Sequence, residues 1–400
     1  MKKGISGVML LFFTTAAFAV DFGLVLGADG EYTGAAEGEG FSLTAYASPW
    51  VSAAWDEGLS FHVSGKLAYE YKENREPAGN YFFELERTEF NLRPASSLYI
   101  SLGRRRFQDA LGMVASGLFD GAGGDVQFGV GRLSLGVFYT GLLYKESAKI
   151  LMSAEDLREY EKPLAGVEGY FATRRVVAAL TGEFPDLLSG IGLTAQGLAQ
   201  FDVNGRAEAL YTQYLELRCT AELGAALYVE AGALGELVQG TGGIQGSAAG
   251  KAMLDWEVPG ALNDLLSAKF LWTSGSIGGG MCAYIPVGGL SAGGVFDPGL
   301  RAIMNAALSY RARPLGGISA GAGAGYFIRT DLESLGDGEL DAASESRLLG
   351  GELTGSLLWA PDPALMVNVG GGAFFPGWGG AFREGAPVRW KVNLQVIVSL

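Results

Sequence analysis

The chain has 400 residues, 43 acidic against 29 basic side chains, a formal net charge of −14, 48% hydrophobic residues and 63 glycines. So acidic a chain is not a general nucleic-acid binder, which needs clustered positive charge, and two cysteines, Cys219 and Cys282, rule out a disulfide framework. The mean hydropathy of +0.21 demands either a very large core or apolar residues spread along strands that face lipid.

At the N-terminus, Lys2 and Lys3 precede the apolar run V-M-L-L-F-F and the small-residue end Ala17-Phe18-Ala19. A basic region, a short apolar run and an A-x-A site predict a secretory signal peptide over residues 1–19, with Val20 as the first mature residue. Its loss leaves 27 basic against 43 acidic residues, a net charge of −16.

From there on the apolar residues recur at every second position, the pattern of a strand with one apolar face. After F-G-L-V-L-G-A-D-G (residues 22–30), the alternation returns in L-S-L-G-V-F-Y-T-G, where Leu133, Leu135, Val137 and Tyr139 share a face. In R-A-I-M-N-A-A-L-S-Y-R-A-R, Met304, Ala306, Leu308 and Tyr310 oppose Arg301, Asn305, Ser309, Arg311 and Arg313. In I-S-A-G-A-G-A-G-Y-F-I-R, glycines alternate with Ile318, Ala320, Ala322, Ala324 and Tyr326, making room on the other face. The last eleven residues, W-K-V-N-L-Q-V-I-V-S-L, alternate up to Leu400. An edge of that kind invites aggregation unless another strand pairs with it, and the segment 22–30 is the expected partner.

About 18 such strands, within a range of 16–20, predict an all-β, antiparallel transmembrane β-barrel over residues 20–400, placed in an outer membrane. In hydrocarbon only a closed barrel lets strands pair every backbone group. Connections are expected to alternate between long outer loops, such as 145–162, 286–298, 330–346 and 377–387, and tight turns at Pro94-Ala95-Ser96, Pro314–Gly317 and Pro361-Asp362-Pro363. Trp272, Trp359, Phe374, Phe375, Trp378 and Trp390 are expected at the membrane interfaces. The terminal strand also resembles the signal read by barrel-assembly machinery, with Leu400 where phenylalanine is usual.

Catalysis is not expected. The single histidine, His62, has Ser64 on the same face but no third group to complete a triad. One histidine and two distant cysteines cannot make a transition-metal site, and the acids of 331–341 lack EF-hand spacing. No cofactor is called for.

Basic residues fall opposite the apolar faces. Arg87 and Arg93 share parity with Glu89 and Asn91; Lys269 opposes Phe270 and Trp272; Arg301, Arg311, Arg329, Arg389 and Lys391 likewise oppose apolar sets. Arginine or lysine at the lipid midplane costs ~2–4 kcal/mol, so these residues are expected in the lumen. There they either select anions or pair with Glu84, Glu86, Glu89 and Glu352 to brace the wall; the pattern leaves both open.

Two segments resemble the alginate-export family of outer-membrane barrels: S-L-G-R-R-R-F-Q-D-A-L-G-M-V-A-S-G-L-F-D-G (101–121), with its Gly-Arg step and Asp120-Gly121, and L-L-G-G-E-L-T-G-S-L-L-W-A-P-D-P-A-L-M-V-N-V-G-G-G-A-F-F-P-G (348–377), closing on F-F-P-G. The resemblance implies an 18-stranded barrel with an arginine-rich lumen, with Arg104, Arg105 and Arg106 at the constriction and Glu352 as a lumen carboxylate. The triplet R-R-R departs from the family's pattern, and the resemblance does not name alginate as the solute. The expected function is therefore a monomeric porin passing small polar or anionic solutes, with outer-membrane lipid around it. An adhesin with a blocked lumen and acidic loops, and a transporter of hydrophobic substrates with an apolar lumen, are the rival readings.

Overall fold

The computed structural model describes residues 19–400 except 35–38, 56–57, 74–80, 165–168, 207, 261 and 279. The expected signal peptide lies almost wholly outside the described residues.

Eighteen antiparallel strands form one closed sheet. They are β1 (Ala19–Gly34), β2 (Gly40–Ala54), β3 (Leu59–Lys72), β4 (Tyr81–Ala95), β5 (Leu98–Gln108), β6 (Ser116–Phe128), β7 (Gly131–Tyr139), β8 (Arg175–Leu188) and β9 (Ile191–Asp202). There follow β10 (Tyr211–Leu223), β11 (Leu227–Gly240), β12 (Gly243–Val258), β13 (Asp264–Thr273), β14 (Ile303–Leu315), β15 (Ile318–Arg329), β16 (Leu348–Asp362), β17 (Leu365–Phe375) and β18 (Arg389–Ser399). Each strand pairs with its sequence neighbours. The ring closes between β1 and β18, in a register running from Val25↔Ser399 to Gly34↔Trp390. Two further bonds extend this seam, Leu400 N to Leu24 O at 2.8 Å and Leu24 N to Leu400 O at 3.1 Å. The terminal strand thus has the partner its alternation required.

Lipid-facing and inward residues alternate as expected. On β10, Leu215 and Leu217 are 65% and 53% exposed, whereas the intervening Tyr214 and Glu216 are buried. Trp359, Trp378 and Trp390 are exposed, and Trp390 stacks on Tyr32 with ring centroids 5.2 Å apart. Phe374 departs from the expected girdle. It points inward and packs fully buried against Phe296, Phe327 and Phe382.

One end of the barrel carries short turns, such as Gly316-Gly317 between β14 and β15. The other carries long connections at 109–115, 140–174, 274–302, 330–347 and 376–388, with helices α1 (Lys145–Ala148) and α2 (Ala154–Tyr160) in the second. The β11–β12 connection at that end is an exception, a turn of Thr241 and Gly242. By the rule for such barrels the short-turn end faces the periplasm. The apolar core lies inside the ring, where the 109–115 and 274–302 loops pack Leu111, Met113, Tyr284, Val287 and Phe296 against the inner wall.

A β-bulge in β4 is decisive for which charges point inward. Val63 pairs with Thr88 and Gly65 with Leu85, so Glu86 and Arg87 together oppose Ser64. The extra residue flips the parity: Glu84 and Glu86 face inward before it, Arg87, Glu89 and Asn91 after it.

Candidate functional site

The lumen is narrowed by the 109–115 loop, which leaves the β5–β6 end and runs inward as a chord. Its root is a tight turn. The Asp109 carboxylate accepts from the amides of Met113, Val114 and Ala115 at 2.6–2.9 Å, and Gly112 takes a left-handed φ of 64° that suits glycine. The tip is bonded to the facing wall. Ala110 N donates to Gln196 Oε1 of β9 at 2.7 Å, and Leu111 N to Glu216 Oε2 of β10 at 3.0 Å. Arg218 Nη1 donates to Ala110 O at 3.0 Å and Lys251 Nζ to Leu111 O at 3.2 Å.

The 274–302 loop completes the narrowing. The Tyr284 hydroxyl donates to Met113 O at 2.7 Å, and Val287 N to Val114 O at 2.8 Å. Burial raises the Tyr284 phenol well above its ordinary pKa, so it stays a donor. Glu352 of β16 holds this loop through the amides of Gly294, Val295 and Phe296, at 2.9, 2.7 and 2.8 Å.

Beside the chord lies a cavity of about 390 Å³, lined among others by Arg105, Arg106, Gln108, Thr181, Gln196 and Arg218. Arg105 packs its guanidinium over the Phe138 ring at 5.2 Å and donates to Ser101 Oγ. Arg218 Nη2 reaches Thr194 Oγ1 at 3.3 Å. Neither makes an ion pair among the described residues, and both Nε atoms are buried without a partner. Of the three acids lining this cavity, Asp109 is engaged with its three amides and Glu183 with Arg132 at 2.7 Å, whereas among the described residues Asp125 makes no ion pair with either arginine.

The expected site residues divide into three sets. Arg104, Arg329, Arg389 and Glu352 are anchors rather than open lumen charges. Arg104 lies on the outward parity with Leu102, only 5% exposed, and grips Asp120 through two bonds of 2.9 and 2.8 Å. Three consecutive residues of a strand cannot all face one way, which corrects the grouping of Arg104 with Arg105 and Arg106 at the constriction. Arg329 is buried and donates to the carbonyls of Ser346, Leu332 and Ser344. Arg389 forks onto Asp337 (2.7 and 2.9 Å) and Glu339 (2.7 Å), pinning the 330–347 loop. Burial pushes the Asp337 carboxyl up, but the bonds and charge of Arg389 outweigh it and hold it below its usual range.

A second set faces inward in pairs or in contact with other charges. Arg87 bonds Glu89 at 2.8 Å, Lys391 reaches Glu31 at 3.5 Å, and Lys269 lies next to Met253 in the register, one residue from the Lys251–Glu230 pair. A third set is exposed: Arg93 and Arg311 to the lumen near the short turns, and Arg106 on the outward parity it shares with Leu102 and Arg104, between the inward Arg105 and Phe107. Arg301 is in the outer loop two residues before β14, not on the strand face assigned to it. Arg218 and Lys251 were not singled out, although the alternation T-Q-Y-L-E-L-R of β10 places Arg218 on the inner face in plain view.

A closed 18-stranded barrel with an apolar outer face and loops folded into its lumen is the architecture found in outer-membrane porins. Three solved Pseudomonas aeruginosa structures are similar to it. OpdK with vanillate has 11% sequence identity and a TM-score of 0.65, over 95% of this chain and 98% of that one. OccK2 (OpdF) in complex with glucuronate has 14% identity and a TM-score of 0.61 over the same shares. OccK11 (OpdR) has 12% identity and a TM-score of 0.60, over 95% and 96%. At these identities the likeness is one of fold. No family model and no curated protein matches the chain. The resemblance to alginate-export barrels is overturned: the fold's neighbours are Occ porins, and the two segments behind it turn out to hold a structural ion pair (Arg104–Asp120) and a loop anchor (Glu352).

Proposed function

We propose that the chain forms a monomeric outer-membrane channel for small anionic solutes, with Arg105 and Arg218 setting the charge of its constriction. One observation carries this reading: Arg105 and Arg218 spend their donors on hydroxyls and a carbonyl, not on carboxylates, beside a narrow cavity. Guanidinium is weakly hydrated and binds carboxylates through a planar fork, so a passing anion meets a charge that is not already neutralised. OpdK and OccK2 were solved with vanillate and glucuronate, which suits carboxylate-bearing solutes here too. Residues 1–19 would be removed on export, and the terminal strand would be read by the barrel-assembly machinery.

The test is the reversal potential of the purified protein in planar bilayers across a salt gradient, with and without glucuronate. Anion preference that shrinks in Arg105→Ala and Arg218→Ala is the expected result. Cation preference would sink the assignment of these arginines, and absence of any conductance would return the adhesin.

A further inference from the structure

Near the short-turn end, far from the chord, the inner wall of β13–β18 holds two adjoining cavities of about 660 and 300 Å³ that share Arg311, Gly321 and Ser356. The larger adds Arg313, Asn263, Asn368 and Gln395; the smaller adds Ser267, Ser309 and Thr354. No carboxylate lines either one. Arg311 and Arg313 are both exposed to this space.

The space exists because of glycine. On β15 the inward positions Gly321 and Gly323 pair with Arg311 and Ser309. A Cβ at Gly321 would stand 2.9 Å from Ser356 Oγ, and one at Gly323 would stand 2.7 Å from Thr354 Oγ1. Any side chain there would fill the track and cover the hydroxyls. A strand interior gives up packing when it carries glycine, and commonly does so where something must approach the backbone closely.

The chemistry of the lining is specific. A guanidinium takes a carboxylate through two parallel bonds. Serine and threonine hydroxyls and side-chain amides each donate and accept, as sugar hydroxyls do. An apolar carboxylate would satisfy the arginines but leave that row unmatched, and unmatched polar groups are what make such sites discriminate.

We infer that this track is an exit-side binding site for a polyhydroxylated carboxylate, a sugar acid, held by Arg311 and Arg313 at its carboxylate and by the serine, threonine and amide row along its hydroxyls. The inference rests on the anionic-channel reading and adds a second station to it, separate from the constriction.

The experiment adds glucuronate, butyrate or glucose to the short-turn side of single channels. Glucuronate is expected to block at least ten-fold more tightly than butyrate or glucose. The double variant Arg311→Gln/Arg313→Gln is expected to weaken that block about ten-fold. Gly323→Val, which keeps every charge, is expected to erase the preference for glucuronate over butyrate. Heat-modifiable gel migration establishes that each barrel has formed, and Ser309→Ala/Thr354→Ala replaces the valine variant if it does not form. Butyrate blocking as well as glucuronate, or a double variant within two-fold of the parent, would overturn the site. Calorimetric titration of glucuronate into the detergent-solubilised protein and the double variant reads the track without any current. A cation-selective channel that still binds glucuronate through Arg311 and Arg313 would therefore refute the constriction and not the track.

Discussion

Replacing Glu352 with alanine tests whether the constriction is held in place or merely packed there. The carboxylate is 7% exposed and accepts three backbone amides of the 274–302 loop at 2.7–2.9 Å. Hydrogen bonds to a charged group contribute about 1.5–3 kcal/mol each. Neighbouring bonds are not additive, so about 3 kcal/mol of local stability is the conservative figure, some two decades in the opening equilibrium. The barrel itself keeps its strands, because the variant removes no backbone pairing. Native-state hydrogen exchange read by mass spectrometry should show the amides of Val295 and Phe296 exchanging roughly 100-fold faster. Glu352→Gln, which retains one acceptor oxygen, should fall between the two. Unchanged exchange in the alanine variant would refute the idea that this carboxylate fixes the loop.

Asp120→Asn or Arg104→Met should lower the thermal unfolding temperature markedly, since breaking a buried pair costs about 3–5 kcal/mol, with ion selectivity left as it was. Acid should release the 330–347 loop only below the ordinary carboxyl range. The folded pKa of Asp337 is depressed, so its stabilisation is present above the unfolded value of about 3.9 and fades as pH falls through the lower folded one. Limited proteolysis at pH 5 should find the loop intact, and cleavage at pH 5 equal to that of Arg389→Ala would refute the pairing. A water-soluble maleimide should label Cys282 of the outer loop, slowly at neutral pH because burial raises its thiol. Cys219 shares the lipid face with Leu215 and Leu217 and should stay unlabelled; both thiols are free.

Much of this fold is legible in the sequence, and the reason is elementary. A period of two needs only neighbouring residues to declare it, and it marked β14, β15 and β18 with their inner and outer faces. The seam between β1 and β18 followed from the same alternation. Glu352 shows where that reading stops. Its parity places it inside, but its three partners lie 56–58 residues away in a loop with no period of its own. Arg389 and Arg329 are alike in this, since parity gives a side chain's direction and not its partner. The β4 bulge hid in another way. Glu84 and Glu86 together with Arg87 and Glu89 fit one face only if a residue is inserted between them. Phe374 was read as an interface aromatic because nothing nearby in sequence announces the Phe296 and Phe382 rings that bury it.

The chord at 109–115 is bonded at both its root and its tip, and this has a mechanical consequence. A flap fixed at one end swings under thermal or electrical force, whereas a member fastened at both ends acts as a cross-brace. Here the brace ties β5 and β6 to β9, β10 and β12. It resists flattening of a wide, thin-walled cylinder under lateral pressure from the surrounding lipid. The bore would then be rigid, and currents through it steady rather than flickering.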